Sequence, residues 1–397
     1  MDLSNKAMKI NPSITLEITA KAKELKESGV DVVSFGAGEP DFNTPENIIE
    51  AAIKAMKDGK TKYTPTSGIL DLRKSICNKF KKDNELNYDT DQIVVSTGAK
   101  QSLANTFLAI LNEGDEVIIP TPYWVSYPEL VKLAGGVPVF INTNKENDYK
   151  YSVKELRNLI TSKTKAILVN SPNNPTGSIY TKEELTEIAE LAKEYDLIII
   201  SDEIYEKLIY DNEKHISIAS ISKDSYERTI VINGLSKAYA MTGWRIGYSA
   251  SSKEIAKLMS SVQSHVTSNI NSISQYAAIE ALNGPQDSIK IMIKEFEKRR
   301  NYMIDRINKI HGLSIIRPKG AFYIMVCIEN YFGKEINGEI INSSLDFSKS
   351  LLNEENVAVI PGIAFGLDNY IRLSYATSME IIEEGLNRLE KYLRKLV

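Results

Sequence analysis

The chain has 397 residues, 43% hydrophobic and 25% charged, which is the composition of an ordinary soluble globular protein with room for two domains. Its net charge of −4 is small and its Lys and Arg are scattered, which argues against a polyanion-binding surface. Two isolated cysteines, Cys77 and Cys327, exclude a disulfide framework or CxxC metal site. Only three histidines (His215, His265 and His311) are present, too few for a His-rich metal centre and expected at the surface or at helix ends.

The opening MDLSNKAMKINPS has no apolar signal core, and no run of about 18 apolar residues occurs, so a cytoplasmic location is expected. A helix is predicted over Ile14–Lys26, and Thr44-Pro45 has the form of a cap followed by a proline in the first turn of the next. From there strands and amphipathic helices alternate. Short apolar runs at Gln92–Ser96, Glu116–Ile119, Val137–Ile141, Ala166–Val169, Leu197–Ser201 and Thr229–Ile232 read as strands covered on both faces. Helices are predicted at Leu103–Leu111, Ser152–Ile160 and Glu183–Tyr195, with Thr181 and Glu184 forming a capping box before the last. The character changes at Gly284-Pro285. A charged helix from Ser288 to about Ile310 follows, then strands Phe322–Cys327, Val357–Ile360 and Tyr370–Ser374, and a terminal helix from Glu380 to Leu396. The expected fold class is α/β. Residues 46–284 form a large domain with a mostly parallel sheet flanked by helices. Residues 285–397 form a smaller α/β domain, against which residues 1–45 pack.

The segment NGLSKAYAMTGWRIGY, Asn233 to Tyr248, places Lys237 eight residues before Arg245 among glycines 234, 243 and 247. Taken alone, such a pair is usually solvated surface. In a tight turn, however, the lysine can act as an amine nucleophile and the arginine can grip a phosphate bidentately. Together they point to a cofactor with an aldehyde and a phosphate, and pyridoxal phosphate is the common one. Asp202, in IIISDEIYEKL, ends an apolar strand where open α/β sheets bind ligands; its carboxylate can pair with a pyridinium N–H. A helix start would also favour the acid, but leaves its place after a buried strand unexplained. Tyr205 can donate to a ring oxygen, as can Asn174 in the turn NSPNNPTG, which read by itself is equally a plain turn.

STGAKQSL has the strand–glycine–helix form of an anion cup, with the amides of Gly98, Ala99 and Lys100 at its mouth. Trp124, after Thr121-Pro122, could stack on a planar ring or simply pack in the core. Arg372, inside the apolar YIRLSYA, needs a buried partner. A substrate carboxylate and an internal salt bridge are the two choices. GAGEPD at 36–41 lacks the third glycine of a dinucleotide fingerprint, and no GxxxxGK[ST] loop occurs.

These segments in order (KYTPTSG, PYWVSYPE, NSPNNPTG, SDEIYE, SKAYAMTGWRIGY and RLSYATS) resemble fold-type I, class I aminotransferases of the aspartate aminotransferase branch across essentially the whole chain. The resemblance implies that Lys237 is the Schiff-base lysine and proton shuttle, that Asp202 pairs with the pyridine nitrogen, and that Tyr205 and Asn174 contact the ring oxygen. It implies that Arg245 and the Gly98–Lys100 amides hold the phosphate, that Tyr63 reaches the neighbouring subunit's phosphate in a homodimer, and that Trp124 stacks on the ring. Arg372 would clamp the substrate α-carboxylate beside Gly38 and Asn174; Lys100 and Thr15 would receive a distal carboxylate, with the Thr267–Asn269 loop completing the pocket from the partner. One departure stands out. Gly234 occupies a position where many relatives carry a phosphate-binding hydroxyl, for which Ser236 is the substitute.

The expected activity is transfer of an amino group from aspartate or glutamate to a 2-oxo acid, 2-oxoglutarate or oxaloacetate. The same fold could instead act on aromatic amino acids, alanine or prephenate, or work as a β-lyase. A non-catalytic cofactor-binding regulator would carry a DNA-binding extension or basic patch, and neither is visible.

Overall fold

The computed structural model describes residues 2–396. Its centre is a seven-stranded sheet built from β1 (Ile93–Thr97), β2 (Glu116–Thr121), β3 (Val137–Asn142), β4 (Thr164–Asn170), β5 (Ile198–Asp202), β6 (Thr229–Gly234) and β7 (Ile246–Ala250). The spatial order is β1-β7-β6-β5-β4-β2-β3. Only β7 runs against its neighbours, β1 and β6. The other pairs are parallel.

The continuous apolar runs have a direct physical cause. Side chains alternate across a strand, and here both faces are covered except at the edge strand β3, where Val137 and Phe140 are exposed, contrary to expectation. Val117, Ile119, Leu168, Ile200 and Ile230 enter one core. Their sequence neighbours Ile118, Ile167, Val169 and Ile199 enter the core on the opposite face. The six strands predicted from sequence are all present. β7 is an addition, because IGYSA overlaps the end of the Asn233–Tyr248 motif and carries no strand signal of its own.

Helix limits differ from expectation in instructive ways. The helix predicted at Leu103–Leu111 spans Ala99–Ile110 and begins directly after Gly98. The Thr181/Glu184 capping box is present. Thr44 is not a cap: Pro45 is the N-cap of Glu46–Lys57. The Thr44 hydroxyl instead donates to the Ala240 carbonyl at 2.7 Å and accepts from Trp244 Nε1 at 2.9 Å, tying this helix start to the loop after Lys237. His265, in a helix's last turn, and His311 are exposed, as expected. His215 is not; its side chain is only 7% exposed, against Glu203.

A second, antiparallel sheet contains β8 (Ser314–Ile315), β9 (Tyr323–Cys327), β10 (Ile360–Pro361) and β11 (Tyr370–Ser374), in the order β10-β11-β9-β8. The single strand expected at Val357–Ile360 breaks at Val359. Val357–Ala358 pairs parallel with Val33–Ser34 from the N-terminal segment, whereas Ile360–Pro361 pairs with β11. The long helix Asp287–Ile307 and the terminal helix Met379–Lys395 pack on this sheet around Phe296, Phe322, Tyr375, Leu386 and Leu389. Val33 and Phe35 belong to the same core.

The terminal helix approaches Phe35 so closely that a Cβ at Gly385 would sit 2.4 Å from the ring. Gly385→Ala should therefore destabilise the protein by about 1–3 kcal/mol, the usual penalty for overpacking. The expected readout is a lower urea-unfolding midpoint.

Candidate active site

The carboxyl ends of the parallel strands open into a cleft of about 690 Å³, closed on its other side by the helix Ile14–Glu27, residues 34–39, Tyr323 and Arg372. Thr15, Gly38, Ala99, Lys100, Trp124, Asn174, Asp202, Tyr205, Ser236, Lys237, Arg245 and Arg372 all line it, so widely separated sequence segments converge on one space.

Asp202 ends β5 and is 4% exposed. Its Oδ2 accepts from the Tyr127 hydroxyl at 2.7 Å and its Oδ1 from the Ile204 amide at 3.2 Å. Its main-chain carbonyl accepts from Asn170 Nδ2 at 2.9 Å, which fixes the end of β5 to the end of β4. Burial raises the carboxyl's pKa to about 6, against the opposing pull of Tyr127 and the Ile204 amide. Neither hydrogen-bond donor is charged, so the site is suited to receive a cationic N–H.

Lys237 follows β6, which delivers it into the cleft. Its Nζ donates to the Gly38 carbonyl at 2.6 Å. Enclosure by protein on all sides except the cleft pushes the amine down to about 8; Glu39 opposes this, and Arg372 and Arg245 reinforce it. A buried cationic site with like charges nearby is the environment that frees a lysine's lone pair near neutral pH.

Arg245 immediately precedes β7 and has a left-handed backbone, φ 58°, uncommon for a non-glycine residue. Its Nη1 donates to the Thr242 carbonyl at 2.8 Å. A Cβ on Gly98 would lie 2.5 Å from another of its nitrogens, so glycine there lets the guanidinium lie against the backbone. The cup itself needs a correction. The Gly98 amide is occupied by the Ser96 carbonyl at 2.7 Å. The amides of Ala99 and Lys100 start the helix and have no protein acceptor among the described residues. Two free amides, a helix N-terminus and a guanidinium thus share one corner, which is an anion site.

The absence of a hydroxyl at Gly234 has a packing cause. Gly234 lies opposite Gly247, and a Cβ would meet the Ile246 carbonyl at 2.8 Å and the Gly247 Cα at 3.0 Å. Ser236, 7% exposed, is the hydroxyl on the cleft wall.

Arg372, on β11, is 4% exposed. No internal salt bridge holds it, so of the two choices left by the sequence that one is removed for the described residues. Its Nη1 donates to Asn174 Oδ1 at 3.0 Å, its plane lies 4.1 Å from the Tyr323 ring centroid, and its Nε is buried without a partner. Burial lowers its pKa, yet a guanidinium stays charged. Tyr205 shares a 3.0 Å hydrogen bond with Tyr323. Lys100 Nζ sits 5.0 Å from the Trp124 ring centroid; burial first, then Arg245, depresses its pKa. The Thr15 hydroxyl faces the cleft beside Ser13, 2.9 Å away.

Gly98, Tyr63 and the Thr267–Asn269 loop lie outside this convergence. Tyr63 is 92% exposed, and Thr267 accepts from Gln101 Nε2 at 2.7 Å away from the cleft wall. The residues that sequence reasoning misses are mainly supports: Tyr127, Tyr323, Asn170 and the Thr242–Glu39 hydrogen bond at 2.6 Å. Tyr127 stands three residues after Trp124 in PYWVSYPE, so it is within reach of a local reading; Tyr323 carries no local signal.

An enclosed amine, a buried acid and an anion-receptive corner at the strand ends of the large sheet thus face an unpaired guanidinium on β11 of the smaller one. The family model "Aminotransferase class I and II" matches residues 30–389, and the chain belongs to that family. It is an aminotransferase. It is 52% identical to the aspartate aminotransferase of Bacillus sp. (strain YM-2), with 99% of each chain covered. It is 50% identical to a probable aspartate/prephenate aminotransferase of Rickettsia felis over 98% of this chain and 96% of that one. Its fold matches the aspartate aminotransferase of Rhizobium meliloti with a TM-score of 0.97, at 41% identity and full coverage of both chains. The Thermus thermophilus aspartate aminotransferase with maleate matches with a TM-score of 0.94, at 42% identity over 99% of this chain and 100% of that one.

The depressed Lys237 has a measurable consequence. The free amine is the reactive form, so its fraction grows as pH rises through the pKa. In cofactor-free protein, reductive methylation of Lys237 should rise with a midpoint near 8, well below the ordinary lysine value of 10.5. Peptide-resolved mass spectrometry across pH 6–11 (a range of about five units around the lysine reference) checks this.

Proposed function

We propose that the chain is a pyridoxal-phosphate-dependent aminotransferase that moves an amino group between aspartate or glutamate and a 2-oxo acid. The observation that carries this reading is the enclosed Lys237 amine, held in one cleft with a buried Asp202 and an Arg372 whose Nε has no partner. When bound, the cofactor supplies an aldehyde carbon and an electron-poor ring that takes up negative charge.

The residues fit that group. Asp202 would hold the ring nitrogen's proton, Arg245, Ser236 and the free amides of Ala99 and Lys100 the phosphate, and Trp124 a ring face, with Tyr205 and Asn174 at the ring oxygen. Lys237, losing its own proton near pH 8, is the base that would take the proton from substrate Cα and deliver it to the carbon supplied by the cofactor's aldehyde. Arg372 receives the α-carboxylate through the nitrogen it leaves free, beside Asn174 and Gly38. Lys100 and Thr15 receive the distal carboxylate. The Thermus thermophilus neighbour, an aspartate aminotransferase with the dicarboxylate maleate, supports this reading. Tyr63, exposed in the single chain, is assigned to the phosphate of a second subunit in a homodimer, with the Thr267–Asn269 loop alongside. Prephenate is the second acceptor class to test, because the Rickettsia felis relative carries that name.

Lys237→Ala should leave the fold intact and reduce turnover more than about a hundredfold, as removal of a covalent nucleophile does. Residual activity above that level refutes the assignment. Lys100→Ala should lower kcat/KM for aspartate and glutamate about 10–100-fold, the span of a charge-assisted hydrogen bond, and change alanine or aromatic donors little. Equal loss for all donors would remove Lys100 from the distal-carboxylate role.

A further inference from the structure

Asp202 and Tyr205 open an irregular segment that leaves the large sheet and returns at Ser217. Its middle docks on the other body of the molecule. The Tyr210 amide donates to the Lys319 carbonyl at 3.0 Å, and the Ala321 amide to the Leu208 carbonyl at 3.0 Å. Leu208 and Tyr210 are buried in the core of the smaller sheet. Asp211 is gripped by Arg300 at 2.7 and 2.9 Å and by Arg317 at 3.0 and 3.1 Å. Any displacement of the smaller sheet is therefore applied to the loop that follows Asp202 and carries Tyr205.

The neck of this loop is closed by one carboxylate. Glu203 is 0% exposed. Its Oε1 accepts from Ser201 Oγ at 2.9 Å and Ser217 Oγ at 2.7 Å, and its Oε2 faces His215 Nε2 at 2.9 Å. His215 Nδ1 is buried without a partner, so the tautomer with its proton on Nε2 meets the geometry. Nearby Glu206 accepts from Asn84 Nδ2 at 2.9 Å and is ion-paired with Lys79. Glu203, Glu206 and His215 have metal-ligand spacing, but the Lys79 ammonium already supplies the cation there. The cluster is built to hold a neck shut.

We propose that Glu203 and His215 are positioning residues: a buried latch across the loop neck that keeps Asp202 and Tyr205 in register with the cofactor ring while the loop tip stays bound to the smaller sheet. This rests on the cofactor reading given above. Neither residue lines the cleft, so both act through the backbone of 202–205.

The test compares His215→Leu, which removes the donor to Glu203, with His215→Gln, whose amide restores a donor at similar reach. The measurements are Kd for pyridoxal phosphate in the apo-protein, kcat and KM of the loaded enzyme, and the apo-protein melting curve. His215→Leu should weaken cofactor binding and lower kcat about tenfold or more, the loss expected when a buried charged acceptor loses a partner. KM should stay within about twofold, because Arg372 and Asn174, on other elements, hold the substrate; that factor is within the ordinary spread of a site left intact. His215→Gln should recover most of both losses. Leu-variant binding equal to wild type overturns the latch, as does a loss that Gln fails to recover. If the Leu variant does not fold, Ser217→Ala removes another neck donor, and unchanged cofactor affinity there overturns the proposal. Failure of the wild-type chain to bind pyridoxal phosphate overturns the functional reading and this inference together; equal binding by wild type and variant overturns this inference alone.

Discussion

Charge enclosed without a protein counter-charge is the constraint on which this structure turns. Outside the cleft, several buried charges are met by counter-charges. Lys79 meets Glu206, Arg300 meets Asp211, and Glu355 meets Lys391. In the cleft the rule is suspended. Lys237 donates to a neutral carbonyl, Asp202 accepts from a phenol and an amide, and Arg372 rests on a carboxamide and two aromatic rings. Removing such groups from water costs several kcal/mol each unless partners arrive. The raised Asp202 and lowered Lys237 are that cost expressed as proton affinity. A ligand with a cationic ring nitrogen would relieve Asp202, and one with a carboxylate would relieve Arg372.

Holding unpaired charges close together demands a rigid support, and the sheet provides it. Asn170, Asp202 and Gly234 end three adjacent parallel strands, with Arg245 just before the start of the antiparallel β7 at the same edge. The opposite wall belongs to the other body and is stitched across by named bonds. Arg372 on β11 reaches Asn174, and Gly38 reaches Lys237. Both carboxylate oxygens of Asp41 accept from Arg299 Nη1, at 2.8 and 2.9 Å, with Phe42 edge-on to Phe296. Arg372 and Lys237 thus stand on different bodies, and their spacing depends on how those bodies are joined.

What can be read from sequence divides along this line. Local signals hold well: the buried runs of β1, β2 and β4–β6, the Thr181 capping box, and the placement of Asp202 at a strand end follow from periodicity and from topology that short stretches encode. Lys237, Arg245 and Arg372 stand out because their residue types are anomalous where they sit. Groups recruited from far along the chain are invisible. Tyr323 becomes Tyr205's partner only when two bodies 118 residues apart in sequence meet. His215 reads as surface because a lone histidine beside Glu213 and Lys214 looks solvated; only its return to Glu203 buries it. Thr44 looks like a helix cap because a hydroxyl before proline normally is one, yet Ala240 and Trp244 claim its hydroxyl first. The free amides at 99 and 100 are legible; that the Gly98 amide is spent on Ser96 is not, since it depends on the exact turn geometry after β1.

The glycines around the anion corner show one structural choice limiting another. β7 inserts antiparallel between β1 and β6, and both contacts are made glycine-tight. A Cβ on Gly247 would fall 2.1 Å from the Ala99 amide nitrogen, and one on Gly234 would strike the Ile246 carbonyl. The same approach that brings Arg245 over Gly98 therefore forbids a side chain, and so a hydroxyl, at 234. Replacing Gly234 with serine would not simply add a hydrogen-bond donor to the corner. It would push β7 away from β6 and take Arg245, the first residue before that strand, with it. The anion corner trades one neutral donor for a closer guanidinium, and a charge-assisted, bidentate partner is the stronger of the two for a doubly charged group.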